Sequence, residues 1–137
     1  MKIKIYSDGG ARGNPGPSGI GAVLYDESDK VIATISKYIG ETTNNQAEYQ
    51  AIVAGVEKAK ELGAEDVSCY LDSELVVKQI NGLYKVKDQA LAQQFLKIWN
   101  LKSHFKSIKF SHIRREQNKV ADSLVNKALD KQSTLDK

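Results

Sequence analysis

The chain has 137 residues, 41% hydrophobic and 27% charged, the composition of an ordinary folded protein rather than a disordered or low-complexity one. Twenty basic residues against 17 acidic ones leave a net charge of +3, which permits a polyanionic partner without demanding one. The single cysteine, Cys69, excludes an internal disulfide and a cysteine zinc site, and no apolar run is long enough to cross a bilayer.

The first eight residues, "MKIKIYSD", do not read as a secretion signal, so a reducing, cytoplasmic setting without a membrane is expected. Residues 2–8 alternate and predict a strand ending on Asp8. Six of the ten glycines then fall between Gly9 and Gly21, which predicts a glycine-rich turn. Residues 20–27 and 31–40 predict two further strands of a meander. The clearest helix spans 42–63, with Thr43 and Gln46 fitting a capping box and Gly63 the stop. A strand over 67–72, a short helix over 73–82, a helix over 88–105 and a strand over 107–114 follow. In the 88–105 helix, Phe95 and Trp99 keep the spacing of core residues. A last helix spans 118–131, with Asn118 as its cap and Ala121, Val125 and Ala128 as its apolar stripe, leaving 132–137 as a flexible tail. The order βββ-α-β-α-α-β-α, without repeat or linker, predicts one α/β domain over 1–131, a mixed sheet flanked by helices.

Four acids stand at element ends: Asp8 and Asp72 close strands, while Glu48 and Asp122 lie in the first turns of helices. Sites in open α/β sheets form beyond strand ends. Carboxylates meeting there repel unless a cation lies between them, and oxygen ligands alone suit Mg²⁺ or Mn²⁺. Paired ions of this kind hydrolyse phosphodiesters. Each acid also has a purely structural use. Asp8 suits a turn, Glu48 a cap begun at Asn45, Asp72 a cap for the helix at Ser73, and Asp122 a helix dipole. Spacing alone does not bring the four together.

"YSDGGARGNPGPSGIGAVL", "TTNNQAEYQAIVAGVE", "YLDSELVVKQI" and "NKVADSLVNKAL" resemble, in order and spacing, the four signature blocks of the ribonuclease HI family. The resemblance covers nearly the whole chain. It implies a five-stranded mixed sheet and two Mg²⁺ ions, with Mn²⁺ as a substitute. It implies endonucleolytic hydrolysis of the RNA strand of an RNA–DNA hybrid, giving 5′-phosphate and 3′-hydroxyl ends. It assigns the metal ligands to Asp8, Glu48, Asp72 and Asp122, with Asp8 and Asp72 expected to bridge both ions. It assigns hybrid contacts to Gly9, Gly10, Arg12, Asn14, Thr43, Asn44, Asn45 and Gln46. Bare glycines at 9, 10 and 13 are then expected to let a sugar–phosphate surface approach the backbone.

Three departures accompany the resemblance. Glu74 stands where many members have Gln, and a carboxylate cannot donate. "NGLYKVKDQA" is too short for the basic protrusion of longer members, so weaker hybrid affinity is expected. His112 matches the spacing of the family's helper histidine, but its surroundings read as strand, so Arg115 or Glu116 are alternatives for product release. A monomer with no obligate protein partner is expected. The competing readings are a module that binds hybrid or double-stranded RNA without cleaving it, and a nuclease of the same fold acting on double-stranded RNA.

Overall fold

Alternation along the first strand decides the architecture. Ile3 and Ile5 are buried while Lys4 and Tyr6, pointing the other way, are half-buried. The computed structural model describes residues 1–135. β1 (Lys2–Ala11), β2 (Gly16–Tyr25) and β3 (Val31–Thr42) form an antiparallel meander. β4 (Asp66–Leu71) lies parallel to β1, and β5 (Ser107–His112) parallel to β4, giving the order β3-β2-β1-β4-β5. The helices are α1 (Asn44–Glu61), α2 (Glu74–Ile80), α3 (Gln89–Lys102) and α4 (Lys119–Leu135). The five-stranded mixed sheet flanked by helices is the architecture expected from the element order. Among the described residues, no helix is long and apolar enough to cross a membrane.

α1 and α4 pack on opposite faces of the sheet. On the α1 side, Ile5, Leu24, Ile52, Val56, Cys69 and Leu71 are fully buried and form the main core. α1 starts at Thr43, whose hydroxyl accepts from the Gln46 N–H at 3.2 Å, and stops before Gly63, which has φ 82°. On the other side, Ala121, Val125 and Ala128 of α4 are buried as their spacing predicts. The Ser36 hydroxyl donates to the Leu124 carbonyl at 2.6 Å and ties α4 to β3.

The glycine-rich segment differs from its expectation as a turn. β1 continues through Gly9 and Gly10 to Ala11, and β2 begins at Gly16, so the turn shrinks to residues 12–15. Gly9 and Gly21 answer to helix packing. A Cβ on Gly9 would lie 2.2 Å from the Ala47 carbonyl carbon of α1, and one on Gly21 would lie 2.3 Å from the Ala121 carbonyl oxygen of α4. The turn itself requires Gly13, at φ 97°, and Gly16, where a Cβ would lie 2.3 Å from the Arg12 carbonyl oxygen.

Other boundaries also move. α4 runs to Leu135, so residues 132–135 of the expected tail are helical, and the rest of that tail lies outside the described residues. Trp99 is not a core residue. It is 59% exposed, stacked on Phe95 with ring centroids 6.4 Å apart, and Lys102 lies over its ring. Leu91 and Ile98 carry the buried stripe of α3 instead, because that face alone meets the core.

Candidate metal centre

Four elements deliver one carboxylate each to a cleft of about 350 Å³ lined by Asp8, Glu48, Asp72 and Asp122. Asp8 sits within β1 opposite Gly21, so it is no turn former. Asp72 follows the last residue of β4, and the neighbouring Ser73 caps α2 by accepting from the Val76 N–H at 3.3 Å. Asp72 is therefore free of the capping duty its position suggested. Glu48 rises from the second turn of α1, and Asp122 from the first turn of α4. One oxygen from each of Asp8, Glu48 and Asp72 lies within 4.8 Å of the others. Asp122 is more exposed than these three, and its charge acts on Asp8.

The electrostatics of this cluster are unfavourable without a counter-charge. Burial, followed by the negative charges of Asp72 and Asp122, pushes the Asp8 carboxyl up to about 8 from 3.8. Burial and the charges of Asp8 and Asp72 hold Glu48 well above its ordinary range, against the opposing pull of the Arg115 guanidinium. The Glu48 Oε2 is buried with no hydrogen-bond partner. Converging carboxylate oxygens with one orphaned acceptor fit a hard divalent cation such as Mg²⁺ or Mn²⁺.

Two asparagines hold acids of the cleft by their side-chain amides. Asn118, read from the sequence as a helix cap, is 1% exposed. Its Nδ2 donates to the Ser7 carbonyl at 2.8 Å and to Asp72 Oδ2 at 3.0 Å. Asn126 Nδ2 lies 3.4 Å from Asp122 Oδ2. Sequence reasoning missed both contacts. For Asn118 the local signal is a short polar residue just before α4, which suits a cap equally well, and for Asn126 it is the i,i+4 spacing from Asp122 on one helix.

The basic residues divide unequally. Arg115 lines the cleft, in a single 3₁₀ turn (Arg115–Gln117) between β5 and α4. His112 ends β5 opposite Leu71, exposed, and is absent from the cleft lining. It lies near Glu74, which is bound to Lys78 at 2.6 Å and whose carboxyl is lowered by that hydrogen bond and charge. Arg12 lines the cleft too, with its guanidinium paired to Asp130 at 2.6 Å.

The remaining expected contacts gather beside the acids. Gly9 and Gly10 form part of the cleft wall. Asn14, Thr43, Asn44, Asn45 and Gln46 line an adjoining groove of about 690 Å³, and Asn44 belongs to both. Asn44 Oδ1 accepts from the Ala11 N–H at 2.8 Å, and Asn14 Oδ1 accepts from the Asn44 N–H at 3.1 Å. With both oxygens engaged, these two amides can offer a ligand their N–H donors.

Comparisons with known proteins agree with this geometry. A family model described as reverse transcriptase-like matches residues 6–128. The bifunctional protein Rv2228c of Mycobacterium tuberculosis is 42% identical over 131 residues, 95% of this chain and 36% of that protein. The chain thus spans about a third of the mycobacterial relatives it matches (36%). RNase H1 from the archaeon Halobacterium salinarum superimposes with a TM-score of 0.93 at 37% identity, covering 96% of this chain and 99% of that one. LC11-RNase H1 in complex with an RNA/DNA hybrid superimposes with a TM-score of 0.90 at 47% identity, covering 95% and 98%.

Proposed function

Because the chain belongs to the ribonuclease H family, we propose that it hydrolyses the RNA strand of RNA–DNA hybrids with two divalent metal ions, leaving 5′-phosphate and 3′-hydroxyl ends. The observation that carries this reading is the meeting of Asp8, Glu48 and Asp72 within 4.8 Å, beside a buried Glu48 oxygen that lacks a partner. Asp8, Glu48, Asp72 and Asp122 are the proposed ligands, and Mg²⁺ is the proposed ion, with Mn²⁺ as substitute. Bound there, the ions supply an activated water and stabilise charge on the departing oxygen.

The chain's own groups do the rest. The four carboxylates neutralise and fix the ions. The Asn14 and Asn44 amides present donors that suit the 2′-hydroxyl oxygen and the minor-groove acceptors of a hybrid. Thr43 has its oxygen engaged as a cap, and its hydroxyl hydrogen remains available for a phosphate of the DNA strand. Arg115 supplies positive charge where the cleaved phosphate lies, because it lines the cleft and His112 does not.

The test is a cleavage assay on hybrid, double-stranded RNA and double-stranded DNA, with and without Mg²⁺, beside Asp8→Asn. The expected result is metal-dependent cutting of the hybrid's RNA strand that the folded variant loses by a factor of about 10³ or more. Metal-dependent cutting by a folded Asp8→Asn protein overturns the ligand assignment. Preferential cutting of the RNA duplex replaces the substrate.

A further inference from the structure

Asn118 is joined to three of the four elements that carry the acids, all but α1. Its Nδ2 reaches the Ser7 carbonyl, one residue before Asp8, at 2.8 Å, and Asp72 Oδ2 at 3.0 Å. Its backbone N–H donates to the Arg115 carbonyl at 3.0 Å, and its own carbonyl accepts from the Asp122 N–H at 3.1 Å. One residue thus binds β1 beside its acid, the acid that follows β4, the turn that carries Arg115 and the helix that carries Asp122. It does so from a position that is 1% exposed.

Stability alone does not account for this arrangement. The Asn118 Oδ1 is buried and without a partner, a cost that an apolar residue would avoid. A cap needs only a short oxygen acceptor at the helix start, yet this side chain turns its amide donors away from α4 toward two other elements. A carboxylate with one oxygen held by a buried amide cannot rotate about its last torsion. That restraint matters most for a group that must present an oxygen to an ion.

We propose that Asn118 is a positioning residue for the metal centre: its side chain orients Asp72 and holds it in register with β1 beside Asp8. The proposal rests on the metal-ligand reading of the four acids. Its effect is on ion affinity, whereas a residue with a purely structural role would lower the melting temperature and leave the ion affinity of folded protein unchanged.

The experiment is calorimetric titration of Mg²⁺ and of Mn²⁺ into wild type and Asn118→Ala, with far-ultraviolet circular dichroism to verify folding. Ion affinity is expected to fall about 10- to 100-fold in the folded variant. The Mg²⁺ concentration for half-maximal cleavage should rise in proportion, while KM for the hybrid at saturating metal stays within twofold. A folded Asn118→Ala protein with wild-type ion affinity overturns the proposal. A wild type that binds neither ion overturns the metal reading and this proposal together. Should Asn118→Ala not fold, the exchange of the Asn118 side-chain amide protons in wild type decides by NMR. Protection in both the metal-free and Mg²⁺-saturated states supports the positioning role, and loss of protection on adding Mg²⁺ overturns it.

Discussion

The two halves of the acidic cluster are held by different forces. Asp8 and Glu48 are fixed by packing: Gly9, next to Asp8, lies against Ala47 and the Glu48 N–H with no room for a Cβ. Asp72 and Asp122 are fixed by amides, Asn118 for one and Asn126 for the other. In the packed half both carboxyls are pushed up, Asp8 being the most buried of the four acids, while in the amide-bound half Asp122 stands exposed and Asp72 is half-buried like Glu48. Packing sets a distance rigidly but strips water from the charge. Hydrogen bonds set an orientation and leave hydration in place. A site that must hold cations uses the first to raise its need for them and the second to aim the ligands.

The largest expected effect probes the packed half through pH. Folding raises the Asp8 carboxyl from 3.8 to about 8, so between these values the folded chain keeps a proton that the unfolded chain has released. The Asp8 contribution to the stability of the metal-free protein is therefore fully present below about pH 4, falls as pH climbs and is lost above about pH 8. The loss is on the order of 6 kcal/mol, with Glu48 contributing in the same direction. Thermal unfolding in chelator across this range measures the slope. Asp8→Asn should flatten it, and Mg²⁺ should stabilise the protein more at pH 8 than at pH 5. A profile that is level or rises with pH breaks the distinction between the halves.

Next in size is the packing itself. Gly9→Ala must displace the α1 backbone and should cost about 3 kcal/mol, with weaker Mg²⁺ binding. Gly10→Ala, whose Cβ meets nothing closer than Val125 Cγ1 at 3.9 Å, should stay within about 0.5 kcal/mol of wild type. Denaturant unfolding of the pair sharpens the comparison, since the glycines are neighbours on one strand. Equal costs would show that strand propensity, not α1, governs both. The smallest effect concerns the open side of the cleft. Arg115→Ala should lower kcat/KM on the hybrid about tenfold, roughly 1.4 kcal/mol, and His112→Ala should leave it within twofold. The reverse ranking would return the helper role to the histidine.

Much of this was legible in the sequence because the signals are local. Thr43 and Gly63 bracket α1, the alternation in 2–8 marks β1, and three of the four acids stand where a strand ends or a helix begins, whereas Asp8 lies inside β1, which runs on to Ala11. What was not legible depends on partners distant in the chain. The same glycines suit a turn or a close-packed strand, and only Ala47 and Ala121 decide between them. Helical spacing put Trp99 on the same side as Phe95 but could not say that nothing covers it. Asn118 reads as a cap until Asp72, 46 positions earlier, is brought beside it.

The parallel pairing of β1 with β4 has a consequence for how this centre is inherited. Ser7 stands opposite Leu71, so Asp8 and Asp72 continue neighbouring strands on one rung of the ladder. Adjacent strands lie about 4.8 Å apart whatever their sequence, so the sheet's own repeat serves as the ruler between two ligands. The reading on that ruler is kept by strand register, and the register by Ile3, Ile5, Val67 and Cys69, residues with no chemistry of their own. A slip of one residue turns one acid to the opposite face. Loss of an ordinary core side chain can therefore surface as a fault in catalysis, and the spacing of the ligands is guarded by residues that never touch them.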